Sequence, residues 1–238
     1  TEVRGISGSG VGIGAEGLPL AFLSHATSEL TTEEDLFSIH TLGFRGEALP
    51  SIGSVARVRM ISRPRGEAEG AEILVEGGTI QHTRACGAPE GTSVEVSDLF
   101  FNLPVRLKFL RSPATEMSHI TEAITRVALA HPQVHFTLTH NGKEIFNLPP
   151  SDNRAERIGS FFGRDVGGNL ISVSANHPVL KLQGHITQPT ITRPNTKTQY
   201  CFLNGRFIRD SSINHAIMQA LASDLIDSDE MRARFLQE

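Results

Sequence analysis

Residues 43–49 read Gly43, Phe44, Arg45, Gly46, Glu47, Ala48 and Leu49, a loop bounded by glycines that runs straight into helix-forming residues. Such a junction leaves backbone N–H groups unpaired and presents the positive end of a helix dipole, which together favour a phosphate group. Pro50 has no N–H to offer, but it falls in the first helical turn, where a missing donor costs least. Upstream, His25 is followed by Ala26, Thr27 and Ser28, and the hydroxyls of Thr27 and Ser28 are able to bond phosphate oxygens while Arg45 supplies charge. Taken alone, the same loop serves equally well as a plain turn with hydroxyls that cap a helix.

The chain has 238 residues, 39% hydrophobic and 20% charged, which suits a globular protein of one large or two modest domains. A formal charge of -4 argues against a uniformly basic nucleic-acid binder, although a basic patch can sit inside an acidic average. Cys86 and Cys201 stand far apart and belong to no metal-ligand spacing, so a reducing, cytosolic setting without disulfide or structural zinc is expected. None of the histidines shows ligand spacing. No apolar run is long enough to span a bilayer, and the first residues are not a signal peptide. The start at Thr1 and the charged end suggest a fragment.

Local patterns divide the chain further. The glycine-rich stretch from Gly5 to Gly17 reads as a loop, followed by a short helix near Leu18 to Leu23, and Thr31 and Thr32 with Glu34 and Asp35 predict a second short helix. Strands are expected after Val55 and at Ile73 to Val75 and Ser93 to Val96. Ser112 and Pro113 open a helix carrying Ile120, Ile124 and Val127 on one face. Asn141-Gly142 predicts a tight hairpin turn. Linker composition at Pro149 to Asn153 divides the chain into a first domain, residues 1–149, and a second, residues 150–238. In the second, a helix closed by Gly163 precedes strands near 170–175 and 179–187, a strand pair about Asn204 and Gly205, and a helix capped by Asp210 with Ile213, Ile217, Leu221 and Leu225 on one face.

The two segments His25 to Ser28 and Gly43 to Leu49 resemble the nucleotide-lid and phosphate-loop motifs of MutL, a branch of the ATPase superfamily that also holds gyrase, a heat-shock chaperone and histidine kinases. The likeness continues through Gly91-Thr92, through the string from Leu99 to Leu110, through Gln199 to Arg206 and through Ile213 to Ile217. By resemblance the fold is α/β: a Bergerat-type ATP-binding α/β sandwich, N-terminally truncated, with helices on one face of a mixed sheet, then a ribosomal-protein-like βαβ domain. The nucleotide-binding residues it implies are Ala26, Thr27, Ser28, Gly43, Phe44, Arg45, Gly46, Glu47, Ala48, Leu49 and Thr92. For the DNA groove of the family's second domain it points to Arg193, Lys197, Arg206 and Arg209, whereas Arg106, Lys108 and Arg111 read as a solvated face.

The family's implied function is DNA mismatch repair: an ATP- and Mg2+-dependent matchmaker that dimerises through its ATPase domains and links a MutS-type mismatch recognition protein to downstream nuclease or helicase. It contacts DNA through the backbone and is cytoplasmic, nucleoid-associated in a bacterium. This chain departs from the pattern. Aligning Gly10, Gly12 and Ile13 puts Gly8 where the family has the adenine-reading aspartate, and Thr1 to Gly8 leave the family abruptly. The catalytic glutamate and magnesium-binding asparagine of the family lie on a helix before the point where this chain begins, and its γ-phosphate lysine lies beyond the matched segments. No catalytic residue or metal ligand is therefore assigned. The rival readings are a degenerate, non-catalytic interaction module and, less favoured because the phosphate loop reads from Gly43 to Leu49 as in MutL, a type II topoisomerase ATPase subunit.

Overall fold

The computed structural model describes residues 4–25, 46–188, 191 and 198–227, with side chains of the last helix described through residue 219. The chain divides into two compact units, Thr1–Glu116 and Met117–Glu238. The division expected at 149/150 falls inside the second unit. The short helix expected after Thr31 and Thr32 lies outside the described residues, as do the side chains of Leu221 and Leu225.

The first unit is built on a five-stranded sheet of β1 (Arg4–Gly8), β2 (Arg57–Arg63), β3 (Gly70–Glu76), β4 (Thr79–Cys86) and β5 (Gly91–Ser97), in the order β1-β5-β2-β3-β4. Every pairing described is antiparallel, where a mixed sheet was expected. Short helices α1 (Gly17–Leu20), α2 (Ala48–Gly53) and α3 (Pro104–Leu107) join it. Alternation in β2 and β3 turns Val58, Met60 and Ser62, with Ala71, Ile73 and Val75, into the core, where Leu18 from α1 joins them. Ile13, Phe22, Leu49 and Val94 pack against that cluster. Each large aliphatic side chain so buried contributes about 1.5–3 kcal/mol.

Two elements differ from expectation. Gly5 to Gly8 is not loop but the greater part of β1, whose residues pair with β5 from Arg4 opposite Val96 to Gly8 opposite Thr92. Glycine carries no strand preference of its own, so the exposed edge of β5 recruits this segment through backbone hydrogen bonds. Strand β4 was not anticipated. It returns from β3 through Gly77 and Gly78, both at positive φ (54° and 86°), the two-residue turn that matches strand twist.

The outward face of the same strands carries charge. Glu72, nearly fully buried, accepts hydrogen bonds from Arg59 Nε (2.7 Å) and Arg84 Nε (2.9 Å), and His82 Nε2 lies 3.1 Å from it. Arg59 also reaches Glu95, while Arg57 bridges Glu76 and Asp98.

In the second unit the strands pair as three hairpins: β6 (Phe136–His140) with β7 (Lys143–Leu148), β8 (Leu170–His177) with β9 (Leu180–Thr187), and β10 (Cys201–Leu203) with β11 (Arg206–Ile208). Asn141-Gly142 and Asn204-Gly205 hold positive φ at both turn positions, as their sequences predict. Helix α4 (Pro113–Ala130) crosses the division between units, and α5 (Arg154–Phe162), α6 (Arg164–Gly168) and α7 (Ser211–Asp227) follow. Asn153 caps α5 by accepting from Ala155 N, Gly163 ends it at φ 98°, and Asp210 caps α7 by accepting from Ile213 N at 2.9 Å. Arg157, 2% exposed, donates to the carbonyls of Pro132, Val134, Leu148 and Pro149. The α/β class expected, an ATPase-type part followed by a ribosomal-protein-like part, is the class found, with the first sheet antiparallel rather than mixed. Among the described residues no helix is long and apolar enough to cross a membrane.

The hydrogen bond from His82 chiefly, with those of Arg59 and Arg84, outweighs burial and holds the Glu72 carboxyl at about 2, below its ordinary 4.5. A carboxyl that titrates lower in the fold than in the unfolded chain contributes stability above its ordinary value and loses it as pH falls. Urea unfolding midpoints should therefore drop from pH about 4.5 towards 2, and Glu72→Gln should be less stable at neutral pH with a shallower acid decline. An acid limb of unchanged slope in Glu72→Gln would contradict this.

Candidate nucleotide site and basic face

The segment from Gly10 to Gly14 meets the end of β2 at Gly12, at a contact distance that only glycine permits. Gly12 sits at φ 78°, and a Cβ there would stand 2.2 Å from the carbonyl oxygen of Arg63. Gly91, at φ 104°, would place its Cβ 2.1 Å from Gly8 O. The N–H of Arg65 donates to Val11 O at 3.1 Å, closing the segment onto the end of β2.

Beneath it lies Ser62, fully buried. Its hydroxyl accepts from Ile13 N (2.7 Å), donates to Gly91 O (3.0 Å), and lies 2.7 Å from Thr92 Oγ1. A serine hydroxyl has one proton, and here that proton is committed to a carbonyl. Thr92 therefore donates to Ser62 and keeps its own lone pairs for an N–H group. Thr92 thus stands as a pre-oriented acceptor, opposite Gly8 in the β1–β5 ladder. A Cβ at Gly8 would meet none of the described residues within 4 Å, so the position facing Thr92 has room for a side chain that it lacks.

The segments expected to be lid and phosphate loop meet at their described ends. His25 N donates to Glu47 Oε1 at 3.0 Å, and His25 Nδ1 lies 2.9 Å from the same oxygen. Glu47 is the residue before α2, and Gly46 beside it adopts φ 59°. Leu49 faces the core rather than the loop, which anchors the start of α2. Pro50 lies inside the first turn of α2, as expected, and its carbonyl accepts from Ser54 N. Of the expected nucleotide residues, Gly46, Glu47, Ala48, Leu49 and Thr92 are described; Ala26, Thr27, Ser28, Gly43, Phe44 and Arg45 lie outside the described residues. Among the described residues no group of three or more His, Cys, Asp or Glu side chains has the arrangement of a metal site.

On the second unit, Arg206 sits in β11 and Arg209 just beyond it, while Arg193 and Lys197 lie outside the described residues. Arg209, largely exposed, is paired: its Nη2 lies 3.1 Å from Glu122 Oε1, and its guanidinium stands 5.7 Å from the Phe207 ring centre. Arg126 joins the same group, bonding Glu122 and stacking on Phe207 at 4.4 Å. An aromatic row through Phe161, Phe162, Tyr200, Phe207 and Phe202 backs this corner. Sequence reasoning missed Ser62, Glu122 and Arg126. Ser62 carried a signal, since a small hydroxyl shares the inward register of Val58 and Met60; for Glu122 and Arg126 only the i, i+4 spacing was visible.

A family model described as DNA mismatch repair protein, C-terminal domain, matches residues 158–236. Proteins named DNA mismatch repair protein MutL are similar over most of the chain. That of Geotalea daltonii is 42% identical over 215 residues, covering 90% of this chain and 36% of the relative, and that of Trichlorobacter lovleyi is 44% identical with the same coverage. The relative from Limosilactobacillus reuteri is 41% identical over 217 residues, 91% of this chain and 32% of its own length. The chain thus spans about a third of the length of these curated relatives. Among solved structures, the Aquifex aeolicus MutL ATPase domain complexed with ADP superposes with a TM-score of 0.67 at 32% identity, covering 91% of this chain and 75% of that one. A structure described as the N-terminal domain of a DNA repair protein gives a TM-score of 0.70 at 25% identity, covering 89% and 66%.

Removing the Ser62 hydroxyl leaves a buried N–H and a buried carbonyl without their partner, a loss of about 1–3 kcal/mol. Ser62→Ala should lower unfolding stability by that amount in urea titration, whereas Ser7→Ala, which breaks an exposed hydroxyl pair with Ser93, should change it by less than about 0.5 kcal/mol. Equal losses in the two variants would remove Ser62 from its place at the centre of the site.

Proposed function

The chain belongs to the MutL family of DNA mismatch repair proteins, and from that premise we propose that it supplies the nucleotide-responsive and DNA-facing part of an ATP-binding matchmaker. The observation that carries this reading is the corner formed by Ser62, Thr92 and the glycine segment Gly10 to Gly14, with the His25–Glu47 contact joining the lid and phosphate-loop segments nearby. In this reading the backbone around Gly46 and the segment from Gly43 to Leu49 hold phosphate, Thr92 accepts from the base, and Ala26, Thr27 and Ser28 form the lid. ATP acts as a conformational ligand: by binding the closed arrangement more tightly, it shifts the population towards it and brings two ATPase domains together. Magnesium, when bound with ATP, would neutralise charge on the phosphates; the described residues include no cluster to hold it.

The partners proposed on this basis are a MutS-type mismatch recognition protein, a downstream nuclease or helicase, a second copy through the ATPase domain, and the DNA backbone, in the cytoplasm. The boundary near 150 is proposed as the division between the partial ATPase domain and the partial second domain. A second reading, a module that keeps the fold without reading adenine, is favoured by one observation: the residue opposite Thr92 is Gly8, with open space where a carboxylate would stand.

That observation sets a test. With no carboxylate to receive the adenine amino group, ATP and GTP should compete to within about threefold in calorimetric titration. A charge-assisted hydrogen bond contributes about 1.5–3 kcal/mol, so Gly8→Asp should raise the preference for ATP to roughly tenfold or more. A tenfold preference in the unmodified chain would mean that another side chain reads the base, and absence of saturable binding by either nucleotide at millimolar concentration would remove the nucleotide reading.

The DNA reading has its own test. Contacts to phosphates release counterions, so binding should be insensitive to sequence and fall steeply with salt. Replacing Arg206 and Arg209 together with glutamate should weaken DNA binding at low salt and flatten the salt slope, while Arg106→Glu with Lys108→Glu should do much less. Equal losses from the two pairs, with circular dichroism unchanged, would move the DNA face to the first unit.

A further inference from the structure

Glu122 and Arg126 stand one turn apart on α4, with the carboxylate on the N-terminal side, the favourable order for an i, i+4 pair. Arg126 bonds Glu122 Oε1 through Nη2, and Arg209 Nη2 comes to 3.1 Å of the same oxygen. Two guanidiniums that converge on one point repel each other unless something holds them there. Phe207 does so, with its ring within 4.4 Å of one and 5.7 Å of the other, an attraction of the cation–π kind. Glu122 meets both arginines with a single oxygen, and Arg126 Nε is buried with no hydrogen-bond partner among the described residues.

Around this point opens a pocket of about 460 Å³ whose lining includes the polar groups of Gln199, Tyr200, Ser211 and Asn214. Burial first, then the charge of Glu122, pushes the Tyr200 phenol above its ordinary value, so it stays protonated and able to donate. Asp210, the other acid of the lining, accepts from Ile213 N as the cap of α7.

We propose that Arg126 and Arg209 form a phosphate site for the nucleic-acid backbone and that Glu122 is an internal stand-in for the phosphate. The carboxylate keeps both guanidiniums poised over Phe207 and lowers their net attraction for an outside anion. A phosphodiester, with two non-bridging oxygens, can engage Arg209 and Arg126 separately and displace a single carboxylate oxygen. The site is thereby selective for an anion that bridges both arginines. The inference rests on the DNA reading above, which assigned Arg209 but neither Arg126 nor Glu122.

The test is fluorescence anisotropy of a labelled oligonucleotide with the whole chain at graded salt. Glu122→Gln should bind about threefold or more tightly at low salt, with a salt slope steeper by about one, because one more cation is free for phosphate. Glu122→Ala should do the same if loss of charge, rather than amide geometry, is the cause. Adding Arg126→Gln to Glu122→Gln should abolish the gain. Failure of the Arg206 and Arg209 pair to affect binding would overturn the DNA reading itself. If that pair weakens binding while neither Glu122 variant tightens it, the stand-in role alone is overturned. Tighter binding of inorganic phosphate by Glu122→Gln, without a gain for DNA, would overturn the assignment to a nucleic-acid backbone.

Discussion

The serine hydroxyl at position 62 uses its full hydrogen-bonding capacity, one proton given and two received, at the edge of the aliphatic cluster of Leu18, Met60, Ala71, Ile73 and Val75. This saturation ties three stretches of chain that are distant in sequence: the end of β2, the glycine segment before α1, and the start of β5. It also decides the chemistry at the surface of the knot. Because the Ser62 proton is given to Gly91 O, satisfying every contact of the hydroxyl requires Thr92 to donate to it. Glycines at 12 and 91 are the covalent counterpart of this arrangement, since any side chain there would collide with the backbone of Arg63 or Gly8. The corner is therefore built from packing constraints within the fold itself.

In the second unit charge is shared among partners in a comparable way. Arg157 satisfies several carbonyls at once, Arg126 and Arg209 share a ring and a carboxylate, and Arg209 follows the strand pair β10–β11. With a chain charge of -4, such local pairing matters more than the average field in deciding where a polyanion settles.

Much of the architecture was legible in the sequence because it depends on residues with sharp local preferences. Asn141-Gly142, Asn204-Gly205, Gly163 and Asp210 each act through φ or a single cap, and each turn or helix end appears where those residues predict. What escaped notice was what tertiary contact decides. The β1 strand is glycine-rich and gains its pairing from β5. Strand β4 mixes Ile80 with Gln81, His82 and Arg84, a pattern that reads as polar until Glu72 is found at its side. The Gly77-Gly78 pair before it was the available signal. At the candidate site, motif likeness singled out the segment from Gly43 to Leu49 and Thr92 as expectations, and of these Gly46 to Leu49 and Thr92 are described. The partners of Thr92 and Arg209 were not legible, because Ser62 lies 30 residues from Thr92 and Glu122 lies 87 from Arg209.

Arg157 binds together the chain on either side of residue 150. Four carbonyls from before that point converge on a side chain that comes after it, and among the described residues no carboxylate stands in the network to replace those acceptors. Burial already pulls its pKa downward, so the charge is tolerated only while the carbonyl cage is closed. The hairpin of β6 and β7 and the helix α5 should therefore open to solvent together, as one cooperative block in hydrogen exchange. Because the cage is made of main-chain carbonyls, its acceptors survive any change of side chain that keeps this backbone path, and the one side chain that has to be retained is the arginine at 157.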